Sequence, residues 1–417
     1  MLVFKFGGAS VKDAEGIANL ANVVKLYTDK PLLIVVSAMG KTTNALEKLA
    51  RAYADQTDDV HTIYEDIKQY HYDIIGELFE AKHPVHDEVA NTFVEIDWMI
   101  EDEPQDDYDF IYDQLVSVGE LVSTRIVAAY LNQQNLKTQW VDVRGYIHTD
   151  NTYREGVVQW DKTTQSIQQG IPALLEKSIV VTQGFLGGTS ENFTTTLGRE
   201  GSDYTASIFA ACLGAESVTT WKDVPGVLNA DPKLFADTIK FDELTYTEAI
   251  EMTYYGATII HPKTIKPLQN ANIPLLVKPF GEPTAAGTII KEGASSVFSK
   301  PVVIIKQNQV LLSLSAKDHS FITEDHLSDI FSRFAKYHIK VNVMQTSALS
   351  FSVCFDLDQE RLNLLLNNLT DFNVKYNTGL TLITTRHYQQ NTIQELTADK
   401  TILLEQLSRN TAQVVVR

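Results

Sequence analysis

Leu2-Val3-Phe4-Lys5-Phe6-Gly7-Gly8-Ala9-Ser10 opens the chain with an apolar run that leads straight into paired glycines. The run predicts a buried strand, interrupted only by Lys5. Two glycines at a strand's carboxyl end let backbone N–H groups come close to an anion, and a following helix offers its N-terminus. Lys5 would place a point charge beside that anion. Taken alone, the same residues also describe a tight turn with a surface lysine, so the rest of the chain must decide between the two.

Beyond this opening, short apolar runs alternate with longer amphipathic stretches. Residues 32–36 (LLIVV), 139–143 (QWVDV), 179–183 (IVVTQ) and 217–221 (SVTTW) have the short apolar runs of strands. Between them Ile17, Leu20 and Val24 mark one helical face, and Leu115, Val118, Val122 and Ile126 mark another. Strands alternating with helices predict an α/β layer on a mostly parallel sheet. Residues 55–112 read as mainly helical, with the acidic stretch 101–110 (EDEPQDDYDF) as a solvated loop. Punctuating residues cluster at 281–301, in GEPTAAG, EGASS and SKP, as expected of a linker. Beyond them 309–315, 341–345 and 351–355 are strand-like, and Leu327, Ile330, Phe331 and Phe334 have helical spacing. The pattern returns at 380–417, with Gln345-Thr346-Ser347 and Gln406-Leu407-Ser408 in matching places, which predicts two small repeated α+β modules.

The 417 residues suffice for two or three domains, each with its own core. Composition is that of a soluble globular protein, 44% apolar and 21% charged. A net charge of −18 argues against nucleic acid or an anionic membrane as a general partner. It also makes each lysine or arginine beside a glycine loop more informative. Cys212 and Cys354 are far apart in apolar contexts and read as buried thiols in a reducing compartment. The start lacks a signal-peptide pattern and no apolar run has the length of a membrane span, so a cytoplasmic enzyme is expected.

Three further groups carry chemistry. Residues 196–205 (TLGREGSDYT) precede an apolar helical stretch; Ser202 or Asp203 suits an N-cap, and Arg199 can hold a carboxylate bidentately. Glu120, after Gly119, is an acidic residue in an apolar helix. A paired core glutamate and a ligand for a substrate ammonium fit it equally well. Ser37, Thr43, Gly184 to Gly188, WKDVPG at 221–226 and NADPK at 229–233 all lie on loops that follow strands or begin helices, where α/β sheets bind ligands. Gly40-Lys41-Thr42 is not a P-loop, because the glycine required at position 35 is Val35. No protein-kinase catalytic loop or DFG triplet is present.

KFGGASV at 5–11, VVSA at 35–38, SVGELVST at 117–124, VTQGF at 181–185, TLGREGSDYTA at 196–206 and WKDVPG resemble, in order and spacing, the motifs of the aspartate kinases. The tail resembles that family's paired ACT modules. The resemblance implies an amino-acid-kinase fold over 1–290, with a mostly parallel central sheet and helices on both faces. It further implies a linker at 291–300, a first βαββ-type module at 301–378 and a second at 379–417 that shares strands with 301–308. The implied reaction passes the γ-phosphoryl group of ATP to the side-chain carboxylate of L-aspartate, with Mg²⁺ carried by the phosphates and not by a dedicated metal site. Lys5, Phe6, Gly7 and Gly8 would hold the phosphoryl group, with Asp203 beside them as part of the catalytic set. Arg199 would take a substrate carboxylate and Glu120 its ammonium, with Ser37, Thr43 and Ser202 completing the pocket. Lys222, Asp223, Leu228 and Lys233 would hold the nucleotide.

The chain departs from the family where lysine is frequent at Thr258, threonine at Lys222, tyrosine at Leu228 and arginine at Lys233; Lys222 or Lys263 would then supply the missing charge. His261-Pro262 matches the family in a structural role. An amino-acid effector is expected near Asn342, Gln345, Thr346 and Ser347. Lysine-sensitive relatives carry acids where this chain has Asn342 and Ala348, so the effector's identity stays open. A homodimer or higher homo-oligomer through the tail is expected, and the length leaves no room for a fused dehydrogenase. Removing Lys5 or Arg199 is expected to cut turnover by orders of magnitude with the fold intact. A kinase for glutamate or acetylglutamate, and a sensor that binds without turnover, remain as alternatives.

Overall fold

The structure, a computed structural model, describes the chain except for residues 58, 258, 259, 295–297 and 299 and the side chain of residue 390. Thr258 and part of the 291–300 linker therefore lie outside the described residues. The fold divides into two compact units. The first comprises Met1–Val227, Lys240–Ile250 and Ile259–Ser296; the second comprises Leu228–Ile239, Glu251–Thr258 and Val297–Arg417.

Strands of the first unit are, in chain order, β1 (Leu2–Phe6), β2 (Leu32–Val36), β3 (Thr138–Val141), β4 (Ile179–Gln183), β5 (Leu186–Gly188), β6 (Thr194–Thr196), β7 (Ser217–Lys222), β8 (Glu243–Leu244), β9 (Leu275–Pro279) and β10 (Thr288–Ile290). Eight of them form one sheet in the order β3-β4-β2-β1-β7-β9-β10-β8, and β5 pairs with β6 in a small antiparallel ribbon. Every pairing in the large sheet is parallel except β9 with β10. The mostly parallel sheet read from the sequence is thus present. β1 and β2 are buried at every position, as expected of strands covered on both faces by crossover helices. From β1 the order runs outward through β2, β4 and β3 on one side and through β7 and β9 on the other. The carboxyl end of β1 is therefore a topological switch point, where sheets of this kind open a crevice for ligands.

The helices are α1 (Ala14–Lys25), α2 (Thr42–Ala54), α3 (Val60–Leu78), α4 (Val85–Glu101), α5 (Tyr108–Gln133), α6 (Trp160–Gly170), α7 (Pro172–Leu175), α8 (Gly201–Leu213), α9 (Tyr246–Tyr254) and α10 (Pro262–Ala271). α5 is buried nearly all round, from Ile111 to Leu131, so it forms an inner element of the layer and not an amphipathic cover. Two sequence readings need correction. The acidic loop ends at Asp107, because α5 already begins at Tyr108, with Asp109 in its first turn where the helix dipole favours an acid. The third strand stops at Val141, because the Asp142 side chain accepts the Arg144 backbone N–H (3.0 Å) and starts a 3₁₀ turn. Among the described residues no helix is long and apolar enough to cross a membrane.

The second unit holds β11 (Val302–Ala316), α11 (Glu324–Lys336), β12 (Val341–Thr346), β13 (Phe351–Asp356), α12 (Gln359–Asn368), β14 (Phe372–Arg386), α13 (Gln390–Thr397), β15 (Ile402–Leu407) and β16 (Thr411–Val416). Its strands form one antiparallel sheet, β12-β13-β11-β14-β16-β15, whose two halves repeat each other about the central β11–β14 pair. The repetition extends to detail. Val341 pairs with Phe355 and Val343 with Cys354, skipping a residue; Ile402 pairs with Val416 and Leu404 with Val415, skipping one in the same place. Ser347 N–H donates to the Ser350 carbonyl (2.8 Å) and its hydroxyl takes the Ser350 N–H (3.1 Å); Ser408 makes the same pair of bonds with Thr411 (2.8 and 3.1 Å). α12 has no counterpart in the sequence reading. Under the first half, α11 and α12 pack Ile330, Phe334, Leu362 and Leu365 against Val310, Leu312, Val353 and Phe355.

Candidate active site

At the carboxyl end of β1, the Lys5 ammonium donates to Asp203 Oδ2 at 3.1 Å, and both side chains are almost wholly buried. Asp203 Oδ1 takes the Thr220 hydroxyl at 3.2 Å. Burial works to raise the Asp203 carboxyl, but Lys5, Lys222 and these hydrogen bonds together carry it below the usual carboxylate range. A buried pair of this kind is weak evidence for stability and better evidence for a site that needs both charges. The glycine turn beside it leaves no room for a side chain. A Cβ on Gly8 would lie 2.6 Å from the Ala38 carbonyl oxygen and 2.9 Å from that of Gly40. Gly40 N–H closes the contact by donating to the Gly8 carbonyl at 3.0 Å.

The loop after β2 is thereby fixed against the glycine turn. Ser37 N–H donates to the Phe6 carbonyl (3.1 Å), and the Ser37 carbonyl accepts from Ser123 on α5 (2.7 Å). Thr43, half-buried, is the second residue of α2. α3 buttresses the loop from outside: Tyr70 donates to the Lys12 carbonyl (2.5 Å), and the wholly buried His71 ring lies 3.4 Å from the Thr42 hydroxyl. Burial lowers the His71 pKa to about 4, so the ring is neutral.

Glu120 is wholly interior on α5, three residues before Ser123. Among the described residues its Oε2 has no hydrogen-bond partner, and burial pushes its pKa up to about 8 against the weaker opposing pull of the Ala38 backbone and of Lys5. A core glutamate kept for structure would have both oxygens satisfied. This one is sealed, protonated near neutrality and short of a partner.

α8 begins two residues earlier than an N-cap at Ser202 would place it, and three earlier than one at Asp203. Ser202 and Asp203 are not N-caps; Glu200 holds that position in left-handed backbone (φ 54°, ψ 29°), and its side chain makes no cap bond. The left-handed turns at Gly198 (φ 78°) and Glu200 bring the chain into the helix early, so that Ser202 and Asp203 lie buried in the first turn. Ser202 packs against Gly184, where a Cβ would lie 2.3 Å from its own Cβ. Arg199 is exposed and, among the described residues, takes part in no hydrogen bond or ion pair. Lys263 Nζ reaches the same turn, 3.6 Å from where a Gly198 Cβ would stand. His261 caps α10 by accepting the Lys263 N–H at 3.2 Å, a structural role.

The first unit thus brings together Lys5, Phe6, Gly7, Gly8, Ser37, Glu120, Ser202 and Asp203 through β1, β2, α5 and α8, with Lys222 at the end of β7 and the exposed Asp223 just beyond it. Leu228 and Lys233 fall in the second unit. There Asn229 donates to the Pro301 carbonyl (3.0 Å) and accepts the Ile239 N–H (2.7 Å), and Lys233 is exposed. In the tail Gln345, Thr346 and Ser347 are exposed, whereas Asn342 accepts from Lys306 (2.9 Å) and donates to Gln309 (2.8 Å). Sequence reading missed Thr220 and Glu200. Thr220 signals itself as a polar residue in a buried strand. Glu200 gives no signal, because its backbone conformation is not legible.

Residues 1–279 match the model of the amino acid kinase family. The chain is 30% identical over 358 residues to the lysine-sensitive aspartokinase 3 of Escherichia coli K12, covering 85% of this chain and 78% of that one. The chain belongs to the aspartokinases of the amino acid kinase family. Another aspartokinase, the chloroplastic aspartokinase 2 of Arabidopsis thaliana, is 34% identical over 367 residues, with 85% of this chain and 66% of that one covered. Among solved aspartokinases, E. coli aspartokinase III in complex with aspartate and ADP superposes with a TM-score of 0.85 at 26% identity, over 100% of this chain and 96% of that one.

Proposed function

We infer that the chain transfers the γ-phosphoryl group of ATP to the side-chain carboxylate of L-aspartate, giving 4-phospho-L-aspartate, which opens the route to lysine, threonine and methionine. The observation that carries this is the buried Lys5–Asp203 pair against the glycine turn at the switch point, with the unpartnered Glu120 oxygen in the same layer. An aspartate carboxylate, pKa about 3.9, is already ionised at neutral pH and needs no general base. The obstacle is electrostatic, since an anion must approach a polyanionic phosphate in line. Lys5 supplies a cation held by Asp203, and the close approach at Gly8 leaves the backbone N–H groups of the Gly7-Gly8 turn for the transferring oxygens.

Arg199 takes the α-carboxylate and Glu120 the ammonium, with Ser37, Thr43 and Ser202 lining the pocket. The nucleotide falls to Phe6, Lys222 and Asp223 of the first unit. Among the described residues no three metal-ligating side chains cluster. Mg²⁺ would arrive with ATP, since this ion keeps its waters and binds chiefly through phosphates. When bound, it neutralises charge on the phosphate oxygens.

Residues 1–290 are the catalytic domain in this reading, 291–300 the linker, and 301–378 and 379–417 ACT modules that bind an amino-acid effector at the exposed Gln345-Thr346-Ser347 turn. Asn342, already engaged, holds that strand in place. Exposed Met344 and Leu349 at one sheet edge, and Ile402 and Leu407 at the other, support a homodimer through the tail. Sedimentation at the mass of one 46.7 kDa chain would remove it. The two free, buried cysteines accord with a reducing cytoplasm.

The test is trapping of acyl phosphate by hydroxylamine with Mg-ATP and L-aspartate or L-glutamate, then with added lysine, threonine or methionine. Hydroxamate from aspartate alone is expected. Product from glutamate would move the protein to another acid kinase, and ATP binding without hydroxamate would make it a sensor. Within the pocket, Arg199→Ala is expected to lower kcat/KM for aspartate by about 10²- to 10³-fold, mostly in KM, because a charge-assisted carboxylate contact is lost. Its melting temperature should match the parent's, since Arg199 supports nothing else. An unchanged KM would remove Arg199 from the pocket.

A further inference from the structure

Glu200 enters none of the roles above, yet three features set it apart. Its backbone is left-handed, a conformation that glycine adopts freely and glutamate does not. One carboxylate oxygen is sealed from solvent with no hydrogen-bond partner. Its place follows from two contacts with the lower pair. Glu200 is the N-cap of α8, and its carbonyl accepts the Asp203 N–H at 3.1 Å, which sets it one level above Asp203. On β7, Lys222 stands two residues beyond Thr220, on the same face of the strand. Asp203 and Thr220 are joined at 3.2 Å. The next level up, toward the mouth of the site, is therefore Glu200 against Lys222. Burial raises the Glu200 carboxyl, and Lys222 is the cation that most opposes the rise.

We propose that Glu200 is a positioning residue for the nucleotide: its charge draws Lys222 over the phosphate path, one level above the Lys5–Asp203 pair. Two levels then follow one another at the start of α8, the Lys5–Asp203 pair below and Glu200 with Lys222 above. The lower one faces the transferring group and the upper one faces the rest of the triphosphate. Backbone strain kept in place for this purpose belongs to function and not to folding. The inference rests on the nucleotide site proposed above, with Lys222 as one of its ligands.

Calorimetric titration with Mg-ADP tests it without reference to the acceptor. Glu200→Gly and Lys222→Met are each expected to weaken ADP binding about tenfold, and the double variant no further, because either half is idle without the other. Glu200→Gln should behave as Glu200→Gly does. The melting temperature of Glu200→Gly should be equal to or above the parent's, since glycine relieves the left-handed turn. A purely structural glutamate would give a lower one. Unchanged ADP affinity in Glu200→Gly, or losses that add in the double variant, would overturn the proposal. Absence of hydroxamate from aspartate in the parent protein would overturn the aspartate reading and leave this one standing on ADP binding.

Discussion

Lys5→Ala is expected to lower kcat by about 10³-fold or more and, at the same time, to cost about 3 kcal/mol of stability. The first effect follows from removing the point charge at the transferring phosphoryl group. The second corrects the expectation from sequence that the fold would be untouched. Asp203 is buried with Lys5 as its ionic partner at 3.1 Å, and removal of the lysine leaves that carboxylate with only the Thr220 hydroxyl bond and the influence of Lys222. The two effects separate in a double variant. Asp203→Asn added to Lys5→Ala should restore most of the denaturation midpoint and none of the turnover. Near-normal turnover in a folded Lys5→Ala protein would end the assignment of Lys5 to the phosphoryl group. A denaturation midpoint equal to the parent's would show that the pair contributes nothing to folding.

Glu120→Gln has the next largest consequence, and its signature is a proton. The Glu120 carboxyl has an ordinary value of 4.5 and is pushed up to about 8 by burial. The folded protein therefore binds this proton more tightly than the unfolded chain does. Stability from this group is full below about pH 4.5 and is lost as the pH rises through about 8, a span of roughly 4–5 kcal/mol. Glutamine should flatten that decline, leaving the variant more stable than the parent above about pH 8. At pH 7 the Glu120 carboxyl is therefore mostly protonated. Arrival of the substrate's ammonium favours the charged form, so aspartate binding should release close to one proton. Calorimetry in buffers of different ionisation enthalpy reads this directly. Glu120→Gln should abolish the release and lower kcat/KM for aspartate about 10²- to 10³-fold. Proton-neutral binding by the parent would exclude Glu120 as the ammonium partner.

The sheet was legible because its central strands are continuous apolar runs, and a strand buried on both faces can be little else. LLIVV at 32–36 and IVVTQ at 179–183 appear with those bounds. Lys5 and Glu120 were legible for the opposite reason: each is a charge in an apolar setting that must be explained, whereas Asp203 entered the catalytic set only through the family resemblance. Local pattern fails where distant contacts decide. Gln359–Asn368 places its leucines on a face defined only once β13 is in place, so α12 went unread. The NADPK turn adjoins WKDVPG in sequence, yet Asn229 binds it to Pro301 and Val303 in the other unit. Ser202 and Asp203 looked like caps because their types suit caps; the two left-handed turns before them carry no mark in residue type, least of all at a glutamate.

The doubled sheet of the second unit carries a hazard of its own. Its two free margins, β12 and β15, are near copies, and a sheet whose ends look alike can be extended at either by another of its kind. Repeated head to tail, such docking never closes and builds a fibre; only a two-fold arrangement that satisfies both margins together terminates it. The skipped residues at Val341/Val343 and Ile402/Leu404 fall on those two marginal strands. A bulge there twists the margin out of plane and spoils it as a template for indefinite growth. The same irregularity, kept in both copies, would let the tail recruit one mate while refusing a procession of them.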